Sequence, residues 1–400
     1  MSALYFYDDV RARRFEPFAL TRPVSELRAG TSLIRKRWER ATSFSSAGFI
    51  SSPHLANFEE GTAPPAVAHK SEIPAGSVIV NSRCVIPLDV KLDRFDLLMC
   101  EGMAAAVRLA RSMPVSQFAD GSIDLGSIQT SLGGKKIKGR WMNEVWDFVS
   151  SLTEQLTEDI PHHAGALTLR TPSDATIVGK QKVFIEEGAE IGPQVVLDAS
   201  GGPILIRRGA VIAPFTHLIG PIAVGRDSHV LGDRVASSSI GDHCKIRGEF
   251  SNTIVLGHSN KGHAGFVGNS FLGRWVNLGA MTTTSNLKNT YGPVQLWTPA
   301  GMRDTGLQFL GTFFGDHVKT GIGTMLSTGT VIGAGASVFG TNMPPRVVPP
   351  FAWGDGEPYE TYELARFLVV AERVMSRREV KLSDKARKQL GEAHKRRWSS

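Results

Sequence analysis

The chain has 400 residues, a net charge of +7 and an apolar share of 42%. That length predicts two domains, and that apolar share excludes a disordered chain. The three cysteines, Cys84, Cys100 and Cys244, lie far apart, which excludes both a disulfide framework and a paired-thiol metal site.

The start, MSALYFYDD, lacks the basic end and apolar core of a secretory leader, and no run of about twenty apolar residues follows it anywhere. A cytoplasmic protein with no membrane partner is expected. Ala3–Tyr7 reads as an opening strand and Asp8–Phe18 as a loop. Thr31 is placed to cap a helix through Ser32–Ala41, with Leu33, Ile34 and Trp38 on its inner face. Ser77–Val80 is a short buried strand and Glu101–Met113 a helix. Asn143–Leu156 is another helix, with Val145, Trp146, Phe148, Val149 and Leu152 on its apolar side. Strands alternating with helices predict an α/β layer domain over residues 1–157. Residues 158–175 then form a linker, with a hinge at Asp159–Gly165.

Apolar residues next recur at a step of six: Ile185, Ile191, Leu197; Ile206, Ile212, Leu218, Val224, Val230; and Phe314, Thr320, Leu326, Ile332, Val338. Six is neither the helical period nor plain alternation. It marks hexapeptide repeats stacked into a parallel β-helix, here over residues 176–348. Two interruptions stand out: a corner insertion at Ala199–Pro203, and an excursion at Asn286–Leu310 that contains Trp297 and Met302. Long loops on a solenoid usually carry function. Residues 349–400 read as a helical cap with a basic tail: a helix over Glu357–Met375, then a mostly polar helix capped by Ser383. The tail reads as a solvated helix face. No nucleic-acid partner is expected, because no aromatic ladder interleaves its charges.

One stretch of the repeat gathers chemical side chains: Ser259, Lys261, His263, Asn277 and Asn286. Its core reads Ser259-Asn260-Lys261-Gly262-His263-Ala264-Gly265-Phe266-Val267-Gly268-Asn269. Asn277-Leu278-Gly279-Ala280-Met281-Thr282 and Asn286-Leu287 follow. In order, spacing and residue type this resembles the acetyltransferase half of the bacterial bifunctional enzymes that make UDP-N-acetylglucosamine. The resemblance implies a left-handed helix, a homotrimer, and acetyl transfer from acetyl-CoA to an amino sugar phosphate or nucleotide sugar. It implies His263 as general base and Asn286 as the holder of substrate and intermediate. Ser259, Lys261, Phe266 and Asn277 are implied in acceptor binding. There are departures: the family's lysine is Asn260, with Lys261 one place later, and its tyrosine is Phe266.

The chemistry accounts for these residue types. An amine attacking a thioester must lose a proton near neutral pH, which suits imidazole. Charge growing on the carbonyl oxygen needs N–H donors. The corners Gly321-Ile322-Gly323 and Gly333-Ala334-Gly335 are expected to offer them. Lys319 and Arg346 are candidates for the phosphates of coenzyme A. Gly257-His258 with His263 also imitates β-helix zinc enzymes. Zinc needs a third ligand, and His217, His229 and His243 do not stand where that family places it, so no metal is expected there.

In the first domain Arg14, Pro17, Thr21, Arg22 and Pro23 keep the frame of a sugar nucleotidyltransferase opening. The glycine-rich phosphate loop is replaced by Asp8–Arg13, the catalytic lysine position holds Val24, and the magnesium-binding aspartate position holds Arg83. The whole chain resembles a divergent, N-terminally shortened branch of the bifunctional family. Its nucleotidyltransferase-like domain is expected to bind a nucleotide or sugar phosphate through Arg14, Arg22 and Arg83 without turnover. Magnesium is expected only if that domain is active. Two other functions stay open: an active sugar-1-phosphate nucleotidyltransferase, and a non-catalytic scaffold that binds a nucleotide sugar.

Overall fold

A computed structural model describes residues 3–128, 134–166, 174–356 and 358–398. The chain forms two compact units, Met1–Asp147 with Ser383–Arg396, and Phe148–Leu382 with Arg397–Ser400.

The first unit is built on a six-stranded mixed sheet. Its strands run in the order Lys135–Lys136, Leu97–Cys100, Met103–Arg108, Val78–Asn81, Leu4–Tyr7, Ser46–Ile50. Leu4–Tyr7 pairs in parallel with both neighbours. A strand so enclosed is buried on both faces, which accounts for its continuous apolar sequence. Helix α1, Ile34–Thr42, crosses between two of these strands and buries Ile34 and Trp38. It starts without a side-chain cap at Leu33, so Thr31 does not cap it.

Glu101–Met113 is not a helix. Met103–Arg108 is a strand, antiparallel to both Leu97–Cys100 and Val78–Asn81. Glu101 and Gly102 sit at φ 47° and 81°, a two-residue turn that reverses the chain. Sheet pairing here overrides the helix propensity of Ala104, Ala105 and Ala106. The helix expected over Asn143–Leu156 is two pieces, α2 at Asp147–Ser150 and α3 at Leu152–Asp159. Ile160–Ala166, at the expected hinge, is a 3₁₀ helix, and residues 167–173 of the expected linker lie outside the described residues.

The second unit is the parallel β-helix that the six-residue beat predicts, with the left hand that the resemblance implies. Its strands stack into three faces. The first has six strands, from Thr176–Val178 to Val267–Gly268. The second has nine, from Val183–Ile185 to Val347–Val348. The third has ten, from Glu190–Ile191 to Ala352–Gly354 and Glu360–Thr361. The recurring apolar residues point inward: Leu197, Ile206, Ile212, Leu218, Val224, Val230, Ile332 and Val338 form one buried column. Within the excursion, Gln295–Thr298 and Gly301–Asp304 pair as a hairpin, with Trp297 opposite Met302.

One corner shows how strictly the coil is fixed. Asp227, His243, His258, Trp275, His317 and Phe351 follow one another up the edge between the second and third faces. Their φ values are 53°, 58°, 55°, 62°, 62° and 56°. Such left-handed backbone is uncommon outside glycine. Asp227, His243, His258, His317 and Phe351 each donate the N–H to the preceding coil, for example His258 to Asp242 O at 2.9 Å and His317 to Arg274 O at 2.8 Å. The inter-coil bonds hold the unfavourable angle. The rings then stack: His243 on His258 at 4.7 Å and His258 on Trp275 at 4.4 Å.

The helix expected from Glu357 begins later. Glu360–Thr361 is a strand against Ala352–Gly354, and helix α4 spans Leu364–Ser376. Phe367 packs it on the last coils, 5.0 Å from the Phe351 ring and 5.8 Å from His317. Helix α5, Asp384–Lys395, is capped by Ser383, which accepts from Ala386 N, and belongs to the first unit.

Phe250 fills the first face of the prism and is fully buried. Phe250→Ala is expected to lower unfolding free energy by about 3–5 kcal/mol, because neighbouring coils cannot collapse into the cavity. Denaturant titration measures this; a loss below about 1 kcal/mol contradicts a rigid stack.

Candidate functional site

His263 lies on the loop Gly262–Phe266, between strand Asn260–Lys261 on the third face and Val267–Gly268 on the first. Its side chain is exposed on the ridge between those faces. The loop differs from the coil corners around it. Among the described residues, none of the backbone N–H groups from Gly262 to Phe266 donates a hydrogen bond. Free amides beside an imidazole can meet a developing oxyanion. Gly265 takes φ 123°, and a Cβ there would sit 2.4 Å from Thr282 O, so the loop needs glycine.

Lys261 fixes this loop from inside. It occupies an inward position, paired in register with Ile246, and is fully buried. Its Nζ donates to Ala264 O at 2.8 Å and to His263 O. Lys261 therefore does not reach a substrate; it ties down the backbone that presents His263. Ser259 is turned inward too. Its Oγ donates to Gly273 O at 2.9 Å and accepts from Val276 N at 3.0 Å. A buried hydroxyl engaged on both sides holds two coils together and has nothing left for an acceptor.

Phe266 and Asn286 come together on the first-face side of the ridge. A Cβ at Gly268 would lie 2.3 Å from Phe266 Cζ and 2.9 Å from Asn286 Nδ2, so Gly268 makes room for both. Asn286 Nδ2 donates to Asn269 Oδ1 at 2.7 Å. Asn277 lies on the third face instead. There Arg378 donates to Asn260 Oδ1 at 2.8 Å, and Asn260 Nδ2 donates to Asn277 Oδ1 at 3.3 Å. A cavity of about 170 Å³ opens beside this relay, lined by Asn260, Trp275, Asn277, Lys319, Arg377 and Arg378 among others. Lys319 Nζ donates to His317 O at 3.1 Å, and burial pushes its pKa down to about 8.

In the glycine corners the glycine N–H groups are engaged, while among the described residues no hydrogen bond engages the N–H of Ile322 or Ala334. Gly321 donates to Val338 O at 2.7 Å, Gly323 to Ala280 O at 2.8 Å, Gly333 to Val348 O at 2.8 Å and Gly335 to Asp316 O at 2.7 Å. The coil ladder engages all of them. Arg346 is likewise committed: its Nη2 donates to Gln295 O and anchors the excursion hairpin. His258 and His263 sit on different corners, and among the described residues no three His, Cys, Asp or Glu side chains gather as a metal site.

In the first unit two of the three candidate arginines are engaged. Arg22 forks onto Glu60 at 3.0 and 2.9 Å. Arg83 grips Asp9 with Nε at 2.9 Å and Nη2 at 2.7 Å, and lies 5.1 Å from the centre of the Trp141 ring. Burial raises the pKa of Asp9, but the bonds and charge of Arg83 outweigh it and hold the carboxylate below its ordinary value. Arg14 is exposed. A guanidinium paired with a carboxylate at this position does not fit a magnesium ion.

Residues 4–165 match the family model described as sugar nucleotidyl transferase. A bifunctional protein GlmU from Methanococcus vannielii is 30% identical over 53% of this chain and 46% of its own length. A bifunctional sugar-1-phosphate nucleotidylyltransferase/acetyltransferase from Sulfurisphaera tokodaii is 30% identical over 40% of this chain and 36% of its own. Over these stretches the chain is similar to GlmU-type proteins. It spans about half their length or less. A solved UDP-N-acetylglucosamine acyltransferase from Arabidopsis aligns with 52% of this chain and 80% of its own, at 12% identity and a TM-score of 0.25.

Sequence reasoning missed two features of this chain. Lys261 falls on the inward beat fifteen residues after Ile246, which alone signals a buried cation. The cavity joins Asn260 to Arg378, and no sequence spacing announces that. A pH test follows. Burial lowers the pKa of Lys261 from 10.5 to about 8, against an opposing pull from Asp233. Between those values the folded chain binds fewer protons than the unfolded chain, so this group makes stability rise with pH. Lys261→Met is expected to remove that part of the rise between pH 8 and 10. Equal slopes for both proteins in unfolding titrations would contradict a buried amine.

Proposed function

We propose that this chain is a cytoplasmic acyltransferase that moves an acyl group from coenzyme A to the amino group of a sugar phosphate or nucleotide sugar. By the resemblance, the acyl group is acetyl and the acceptor is like glucosamine 1-phosphate. The observation that carries this reading is an exposed imidazole, His263, on a loop of uncommitted amides.

The acceptor nitrogen attacks the thioester carbonyl carbon, forming the C–N bond and moving the carbonyl π pair to oxygen. His263 takes a proton from that nitrogen. Amides of the 262–266 loop meet the oxyanion. When the carbonyl re-forms, the C–S bond breaks, and His263 returns its proton to the leaving thiolate. Asn286 positions the acceptor beside Phe266, whose ring takes the place of the family's tyrosine. Magnesium has no part in this route.

One chain offers only half of such a site. Phe266 and Asn286 lie on one side of the ridge and Asn277 with Lys319 on the other, so a single ligand needs a neighbouring copy to bring a second face round. Met281, Ile322 and Met325 are 56%, 79% and 60% exposed on the same side of the coil stack. Bare apolar side chains of this size suit a covered surface. Three copies around a common axis, as the resemblance implies, would cover them and complete each cleft.

His263→Ala is expected to lower thiol release from acetyl-CoA, with glucosamine 1-phosphate or UDP-glucosamine as acceptor, by at least about 100-fold. Its melting temperature should hold, since the ring is exposed. Undiminished transfer removes His263 from the chemistry, and no transfer by the wild type favours a scaffold. Ile322→Glu is expected to reduce the assembled mass in light scattering and activity together. An active monomer refutes the shared cleft.

A further inference from the structure

We infer that the cavity beneath the C-terminal end of α4 is a binding site for the phosphoryl end of an organic phosphate. Three cations, Lys319, Arg377 and Arg378, border it, and no carboxylate stands among its lining residues. Lys319 meets a backbone carbonyl and Arg378 meets the neutral amide of Asn260. Arg377, among the described residues, has no hydrogen bond or ion pair through its side chain. Uncompensated cations brought this close repel one another, and a bound anion relieves that repulsion.

A purely structural reading is that Arg377 and Arg378 complement the negative end of the helix dipole. Arg378 argues against it. Its guanidinium is turned to the coil and begins the relay through Asn260 to Asn277, with its donors at the cavity wall. Guanidinium, ammonium and amide donors converging on one small space are what phosphate oxygens require. The size also selects. About 170 Å³ is less than a drug-sized ligand occupies, so the cavity takes a phosphoryl or diphosphoryl group and leaves the organic part outside.

Two sources share that chemistry: the phosphates of coenzyme A and that of an amino sugar phosphate. The site deepens the proposed acyl transfer, since Asn277 and Lys319 belong to both, but it stands apart from His263. His263→Ala should lose transfer and keep the anion, which separates the failure of one idea from the failure of the other.

The test is calorimetric titration of the full chain with inorganic pyrophosphate at low salt. Lys319→Gln and Arg377→Glu are each expected to weaken binding at least tenfold. Arg111→Glu, at an exposed arginine of the first unit, should not. Circular dichroism and melting temperature confirm that each variant is folded. Competition by coenzyme A but not dephospho-coenzyme A assigns the site to the donor's 3′-phosphate; competition by glucosamine 1-phosphate assigns it to the acceptor. The proposal is overturned if pyrophosphate does not bind, if both cavity variants bind it as the wild type does, or if neither organic phosphate competes.

Discussion

The hydrogen-bond ladder between successive coils governs what the rest of this molecule can do. Each strand gives its N–H groups to the coil beside it, and the corners do the same: His258 to Asp242, Met281 to Ala264, Gly323 to Ala280. A backbone so fully paired has few donors left for a ligand. Glycine at a corner is then a matter of fit, because a Cβ at Gly279 would lie 2.5 Å from Gly321 O. A run of free donors needs the chain to leave the ladder. The loop Gly262–Phe266 is such a place, and it carries the exposed histidine. Ladder and loop together explain why the chemistry concentrates at one step of a repetitive structure.

Leaving the ladder has a structural cost, and Lys261 meets it. Five amides without partners make a loose corner unless something else holds the carbonyls. An aliphatic residue at the inward position would pack like Ile246 or Leu278 and leave His263 O without the Lys261 donor and Ala264 O with Met281 N alone. The buried ammonium engages both. Its depressed pKa shows that burial disfavours the charge. A cation placed in an aliphatic column breaks the local pattern, and such breaks gather where structure serves a site.

The solenoid was legible in the sequence because its signal is redundant: Ile206 to Val230 repeat one instruction five times, and every one is buried. The hairpin around Trp297 was legible as an interruption of that beat. Elements that depend on a single local preference were not. Ala104, Ala105 and Ala106 suit a helix, yet Glu101-Gly102 turns them into a sheet. Site residues divide the same way. The exposure of His263 agrees with its motif. The inward turn of Ser259 and Lys261 follows from side-chain parity along a short strand, which motif matching ignores. Arg378 meets Asn260 through packing of α4, across 118 residues, and no pattern in the chain encodes it.

The first unit applies the same physics to an opposite end. Its frame matches the sugar nucleotidyl transferase model, and Asp9 and Arg83 stand where that frame would otherwise hold a flexible phosphate loop and a metal ligand. A loop that must wrap phosphate needs free amides and mobile glycines. Here Asp9 accepts from Ala12 N at 2.9 Å, from Asn81 Nδ2 at 3.0 Å and from Arg83, so the loop is tied at three points. The pair sets a fixed cation against its carboxylate and keeps the local charge near neutral. The pair ties together the chain segments that leave two interior strands, Leu4–Tyr7 and Val78–Asn81.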